Sequence, residues 1–199
     1  MKKASILILS LFLLIHVNAQ QAHLGIKGGV NISDLNYNDN TTSNNKIGLN
    51  FGVLAHIHAS KIWAIQPELI YSLEGASSKI TSQGTVHTNL NYLNVPVLLQ
   101  YMFNNGFRLE GGPQLGFLLS AKTRSGNVTV TNTSFQSTAV SIPLGVGYLA
   151  SSGVGLDARY VFGLSNINGN KNGPTIQSNV FQLGIFYQLS DSKMHLHHR

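Results

Sequence analysis

The feature that most constrains this chain is a two-residue alternation of apolar and polar side chains, which begins near residue 23 and recurs in eight runs. Alternation with period two predicts β-strands that have one apolar and one polar face. The runs lie near residues 23–32, 46–58, 62–74, 90–103, 107–119, 137–150, 154–164 and 179–189. No stretch shows a helical period of 3.6 residues, so we expect an all-β fold.

None of the charged residues inside these runs falls on the apolar face, and one further charge, Lys46, lies at the margin of a run. The sorted residues are Lys27, Glu68, Glu74, Arg108, Glu110, Asp157 and Arg159. A charge that faces lipid at mid-bilayer costs about 2–4 kcal/mol, so this sorting favours strands whose apolar face meets lipid. Charged residues make up only 10% of the chain, against about 25% in soluble domains.

The connections between the runs alternate in length. Long connections span residues 33–45, 75–89, 120–136 and 165–178, and short ones span residues 59–61, 104–106 and 151–153. Short turns at one end and long loops at the other are typical of outer-membrane barrels. An even number of hairpin-linked strands also closes without a free edge. We therefore predict an eight-stranded antiparallel up-and-down transmembrane β-barrel.

Aromatic residues of the apolar parity form two levels, as expected for the interface girdles of a membrane barrel. The level near the tight turns contains Trp63, Tyr101, Phe103, Phe107, Tyr148 and Tyr187. The level nearer the long loops contains Tyr71, Phe117, Phe162 and Phe181. The runs also contain Pro67, Pro96, Pro113 and Pro143. Since proline cannot donate to a strand ladder, we expect bulges there.

The ends of the chain divide it into three predicted parts. Two lysines, an apolar stretch from Ala4 to Ile15 and a small residue at Ala19 predict a signal peptide over residues 1–19. The barrel domain is predicted over 20–189, and residues 190–199 read as a polar periplasmic tail. Loss of two of the 13 basic residues with the signal leaves 11 against 7 acids, a net charge of +4. That excess forms no basic patch, and no nucleic-acid partner is expected.

An ordered set of short motifs resembles the PorT-like family of bacterial outer-membrane β-barrel proteins. The motifs are GIKGGVNIS at 25–33, QPELIY at 66–71, YLNVPVLLQY at 92–101, GGPQLG at 111–116, LDARY at 156–160 and FQLGIFY at 181–187. The resemblance implies an outer-membrane barrel in a Gram-negative bacterium. It brings no catalytic residues, and the family includes a protein that a secretion system needs.

The seven sorted charges are the candidate site. Three positive and four negative groups in a bore just wide enough for side chains favour a salt-bridged network that fills the lumen. A narrow ion or proton path is the open alternative. Glu68 and Glu110 could serve as an acid–base pair, but a filled barrel offers no substrate cleft. His56 and His58 share a face without an evident third ligand. We therefore expect no catalytic, cofactor or metal site, and no enzyme.

The predicted function is a structural or interaction role in the cell outer membrane. Outer-membrane lipid is the expected partner of the barrel wall, and a protein partner would meet the outer loops or the periplasmic turns. Two rivals remain among membrane proteins: a narrow channel or transporter, and a secretion-system accessory subunit. A soluble lipocalin-like binder, also eight-stranded, would require the opposite parity, with apolar side chains inside.

Overall fold

The computed structural model describes residues 22–38, 44–80, 84–125, 128–131, 134–170 and 172–189. Ten strands in these residues form one antiparallel sheet. They are β1 (Ala22–Tyr37), β2 (Lys46–His58), β3 (Trp63–Ile80), β4 (Gly84–Met102), β5 (Phe107–Gly111), β6 (Gln114–Ser125), β7 (Val128–Thr131), β8 (Thr138–Leu149), β9 (Val154–Gly163) and β10 (Ile176–Gln188). The described residues include no helix long and apolar enough to cross a membrane. The predicted signal peptide and tail lie outside the described residues.

The sheet closes on itself as a ring of eight strand positions. β1 pairs with β10 from Gly25↔Gln188 to Tyr37↔Ile176, which joins the two ends of the barrel. β5 and β6 share one position, because both lie between β4 and β8. β7 stands outside the ring and pairs with β6. The predicted class, an eight-stranded antiparallel transmembrane barrel, is confirmed, although the sheet has ten segments.

The two faces of the wall differ as the alternation predicts. On β2, Leu49, Phe51 and Val53 are more than half exposed, whereas Asn50 and Leu54, of the opposite parity, are buried. The same alternation holds on β9, where Leu156 is exposed and Asp157 is buried. A continuous apolar exterior of this extent would be an aggregation hazard in water, but it suits a protein that lies in lipid.

The tight turns gather at one end of the barrel, as predicted. Gly106 and Gly153 have φ values of 89° and 86° in two of these turns, in the left-handed region that glycine adopts without strain. Aromatic rings contact one another near this end: Trp63 lies 5.1 Å from Tyr101, and Phe107 lies 5.9 Å from Tyr148. These pairs belong to the lower of the two aromatic levels.

All four predicted long loops are partly strand, which corrects the sequence interpretation. β1 runs on to Tyr37 and β10 begins at Ile176, and the other two loops contain more strand. β3 and β4 continue past the predicted run ends and stay paired from Leu73↔Asn91 to Ile80↔Gly84. β6 runs on to Ser125 and turns back as β7. These segments contain several Thr and Val residues, which have good strand propensity. The outer part of the sheet lies above the lipid, so polar residues occur on both of its faces. The sequence therefore shows no apolar–polar alternation there.

The prolines are accommodated in a different way from the expected bulges. The strand is interrupted between β5 and β6 at Gly112 and Pro113. The Pro113 carbonyl accepts a hydrogen bond from the Val97 amide. The register shift between β4 and β6 falls at Asn91 and Tyr92, several residues from Pro96. Pro67, Pro96 and Pro143 hold in-register positions opposite Val97, Gln114 and Val161.

Candidate functional site: the lumen and the outer rim

Arg159 is the centre of the charged network in the lower lumen. Its side chain is 2% exposed, and its Nη1 and Nη2 donate to the two oxygens of Glu68 at 2.6 and 2.7 Å. Its Nε donates to Glu110. One guanidinium thus binds two carboxylates, the first of them in the bidentate geometry that makes such pairs strong.

A second ion pair lies beside the first. Lys27 Nζ donates to Asp157 Oδ1 at 2.8 Å, and the same oxygen lies 3.6 Å from Arg159 Nε. Both side chains are almost fully buried. β1 and β9 bring them together because both strands flank β10 and turn these positions inward.

Buried amides complete the network. Gln66 donates to Glu68 at 2.6 Å, and Gln100 donates to Glu110 at 2.7 Å. The third cation, Arg108, has a weaker set of partners: its Nη1 lies 3.5 Å from Gln100 Oε1, and its guanidinium lies 5.4 Å from the centre of the Phe186 ring. Buried charges must be paired and hydrogen-bonded to be tolerated. Lys27 and Arg159 meet that need through Asp157, Glu68 and Glu110. Among the described residues Arg108 has no carboxylate within salt-bridge distance, and its buried Nε has no hydrogen-bond partner.

Glu74 lies apart from the other six predicted residues. Its carboxylate accepts hydrogen bonds from Ser72 Oγ at 2.9 Å, Asn94 Nδ2 at 3.0 Å and Ser178 Oγ at 3.2 Å. Lys46 Nζ donates at 2.8 Å to the backbone oxygen of Glu74 rather than to its carboxylate. A small cavity of about 20 Å³, lined in part by Glu74, Tyr92, Asn94 and Ser141, adjoins this site. That volume is about one water molecule.

Above Glu74 the interior becomes apolar. A cluster of buried residues comprises Leu35, Ala76, Leu90, Tyr92, Ala121, Ile167 and Ile176. Ile167 belongs to the connection between β9 and β10 and is 1% exposed, so this loop folds over the outer end of the barrel and inserts a side chain. Gln136 N donates to Ile167 O and Ile167 N to Ile176 O, both at 2.8 Å, which holds the loop in place.

Two pairs of residues were considered for chemistry: Glu68 with Glu110 for acid–base catalysis, and His56 with His58 for metal binding. Glu68 and Glu110 both accept from Arg159, so the guanidinium lies between the two carboxylates. His56 is buried and its Nδ1 lies 3.2 Å from Gln66 Oε1, while its ring meets His58 edge-on at 4.6 Å. In the part of the chain that the structure describes, no three His, Asp or Glu side chains are grouped to hold a metal ion.

Sequence reasoning identified the charges but missed their neutral partners. Gln66, Gln100, Asn31, Ser72 and Asn94 are all buried. They fall on the inward parity of their strands, next to or opposite the charged residues, and this placement was a usable signal. The apolar cluster was missed as well, because Ile167 lies in a segment that shows no alternation.

The outer rim is the part of the barrel that stands beyond the upper aromatic level. It consists of the upper ends of β3, β4 and β6, with β7 and residues 164–170 and 172–175. Val128 and Val130 on β7 are 63% and 58% exposed. Among the described residues β7 has one paired edge, against β6, and its other edge presents backbone groups to the surroundings.

A closed antiparallel ring with an apolar outer face, a polar packed interior and short turns at one end defines a transmembrane β-barrel of the outer membrane. Comparison with protein families agrees. Residues 18–169 match the family described as outer membrane protein beta-barrel domain, and the chain belongs to that family. The cell outer membrane is therefore its location, and outer-membrane lipid surrounds it.

Solved structures show the same fold at low sequence identity. Neisserial surface protein A is 13% identical, with a TM-score of 0.61 over 85% of this chain and 100% of its own. Ail, the attachment invasion locus protein of Yersinia pestis, is 15% identical, with a TM-score of 0.53 over the same shares. Ail has also been solved in complex with the heparin analogue sucrose octasulfate, and that structure has a TM-score of 0.54. No curated protein matches the chain.

Proposed function

We propose that this protein is a non-enzymatic interaction protein of the outer membrane, and that its outer rim meets a partner outside the cell. The observation that carries the proposal is the exposed hairpin of β6 and β7, which projects from a barrel whose interior is packed with side chains. A rigid barrel that presents a strand with a free edge is suited to binding by strand addition. Among the described residues the opposite end consists of tight turns and offers less surface.

The packed interior supports an interaction role over transport. Ion pairs and amides occupy the lower lumen, and the apolar cluster with Ile167 occupies the outer end. The described residues leave a cavity of about 20 Å³ between these layers. An eight-stranded barrel has room for side chains and little else. The likeness to Ail, at 15% identity, shows a shared fold.

A photo-crosslinking experiment in living cells tests the proposal. A photoreactive amino acid is placed at Val128 or Val130 on β7 and, as the matched control, at Lys61 or Asn105 in the tight turns. We expect a discrete crosslinked product from the β7 positions that is absent from the control positions. Absence of any product from β7, with products from the turns, would move the interaction to the periplasmic side.

The channel alternative has its own test. The purified barrel is reconstituted into planar bilayers, and single-channel current is recorded. We expect a trace without steps. Discrete conductance steps that change when Arg159 is substituted would contradict the interaction proposal. They would support a narrow ion path through the lumen network instead.

The PorT-like motifs support a second candidate, an accessory role in protein secretion. The six motifs occur in order between residues 25 and 187. Under this proposal, a deletion strain would secrete less protein, and the wild-type gene would restore secretion. A crosslinked product from the turn positions, rather than from β7, would agree with this role, because secretion partners meet the barrel from the periplasm.

A further inference from the structure

The cavity beside Glu74 lies in the lumen between the charged network and the apolar cluster. Inward-facing residues of β3, β4, β6, β8, β9 and β10 line it, and Ser165 and Ile167 of the β9–β10 connection complete its wall. Its volume of about 20 Å³ has room for one particle of the size of a water molecule. The polar groups of the wall therefore decide which particle binds there.

Glu74 carries the one charge of this wall. Its Oε1 accepts hydrogen bonds from Ser72 and Asn94, whereas its Oε2 accepts a single longer one, from Ser178 Oγ at 3.2 Å. No ion pair joins this carboxylate to a cation of the described residues, and Lys46 donates to the backbone oxygen instead. Each carboxylate oxygen can accept about two hydrogen bonds, so Oε2 has capacity for a ligand. A buried carboxylate is stabilised by a positive charge beside it.

Tyr92 provides a second, independent sign of a ligand. Its side chain is 2% exposed and borders the cavity, yet its hydroxyl has no hydrogen-bond partner within the described ranges. Buried hydroxyl groups are normally satisfied by protein or by a bound particle. The cavity has room for such a particle next to Tyr92.

The remaining polar side chains of the wall add neutral oxygen atoms. Gln114 and Ser141 are buried and occupy opposite positions on β6 and β8. Asn94 Oδ1 lies beside Gly116, where an added β-carbon would come within 2.7 Å of it. Carboxylate, amide and hydroxyl oxygens are the ligands of hard cations. Calcium needs more ligands and magnesium keeps several waters, so one carboxylate and a cavity of this size favour a monovalent cation.

We propose that this cavity binds a dehydrated monovalent cation of the size of sodium. Glu74 Oε2 neutralises the cation, and the Tyr92 hydroxyl is a further ligand. Gln114 and Ser141 supply oxygen atoms from the β6 and β8 side of the lumen. The bound cation links these strands to β3 and β4 and stabilises the barrel from within. This inference goes beyond the interaction proposed for the outer rim and does not depend on it, because it concerns the lumen.

The test is urea unfolding of the full mature barrel in detergent, at constant ionic strength, with choline chloride replaced stepwise by sodium chloride. Only the folded protein has the site, so the equilibrium constant for folding should rise about sixfold when sodium reaches roughly five times its dissociation constant. Glu74→Gln removes the charge at constant size and should abolish this rise. In choline chloride alone, Glu74→Gln should unfold at nearly the same urea concentration as the wild type, because the neutral hydrogen bonds remain.

Two further variants and a direct measurement sharpen the test. Asp34→Asn, the matched control, makes the same change at a carboxylate between buried Ser33 and Leu35, on the opposite face of the wall, and should keep the wild-type rise. Tyr92→Phe removes one ligand and should weaken sodium binding about fivefold. The sodium-23 NMR line should broaden with folded wild type and stay narrow with folded Glu74→Gln, which gives a result that does not depend on unfolding.

Three results would overturn the proposal. Equal stability of the wild type in sodium and choline, with a narrow sodium line, would mean that the cavity binds water only. An undiminished rise in Glu74→Gln would place the cation elsewhere. A loss in Asp34→Asn as large as in Glu74→Gln would assign the sodium effect to the overall charge of the barrel. A heat-dependent shift on an SDS gel verifies that each variant is folded.

Discussion

The lower and upper halves of the lumen accommodate buried charged side chains in different ways. The lower half buries six charged groups, five of which form ion pairs, with Arg159 bound to both Glu68 and Glu110. The upper half buries one carboxylate, Glu74, among neutral donors, and above it lies the mainly apolar cluster around Leu90 and Ile167. Removal of one partner from a buried ion pair leaves an uncompensated charge, whereas neutral hydrogen bonds tolerate a neutral replacement. The two halves should therefore respond differently to similar substitutions.

The largest effect is expected from Glu68→Gln. The substitution keeps the size of the side chain but leaves the Arg159 guanidinium without one of its two carboxylates. Loss of one member of a buried pair costs about 3–5 kcal/mol. Urea unfolding of the barrel in detergent measures the free energy of unfolding, and the fluorescence of Trp63, the one tryptophan of the chain, reports the transition. A loss below about 1 kcal/mol would show that water already screens the network.

The next effect concerns the apolar cluster. Ile167→Ala removes a fully buried side chain that the loop inserts into the barrel. Substitutions of this kind cost about 2–4 kcal/mol, and here the loss should be local to the outer end. Hydrogen exchange of residues 164–175 should rise by a larger factor than exchange of β9 and β10. Val130→Ala, at an exposed position, is the control and should leave exchange in this loop unchanged. Equal exchange in both variants would mean that backbone hydrogen bonds alone hold the loop.

The comparison of the two halves also shows what the sequence could predict. Strand parity was sufficient to place Lys27, Arg108 and Asp157 inside, because one misplaced charge in lipid costs several kcal/mol. Parity could not show which charges meet, since this depends on strand tilt and on register around the ring. It therefore grouped Glu74 with the other six charges, although the structure places it with Ser72, Asn94 and Ser178.

The outer rim was the least predictable region. The alternation signal depends on the contrast between lipid and lumen, and above the membrane neither face is constrained in that way. β3 and β4 remain paired beyond Leu73↔Asn91, but both faces there contain Ser, Thr and Asn. For the same reason, the apolar–polar alternation did not indicate β7. Here strand structure follows from continued pairing of the ladder below rather than from a pattern in the residues.

The smallest effect is expected from Glu74→Gln, and it sharpens the comparison most directly. The amide oxygen of Gln can still accept from Ser72 and Asn94, and its amide nitrogen can donate to the Ser178 hydroxyl, so the three side-chain hydrogen bonds are retained. No buried cation loses its partner, because Lys46 donates to the backbone oxygen of this residue. We expect a change in the free energy of unfolding below about 1 kcal/mol, of either sign. The same urea titration measures it beside Glu68→Gln, which makes the identical chemical change in the lower half. If both variants lost about 3–5 kcal/mol, the upper carboxylate would also be held as one member of an ion pair, and the contrast between a paired lower lumen and a neutral upper lumen would fail.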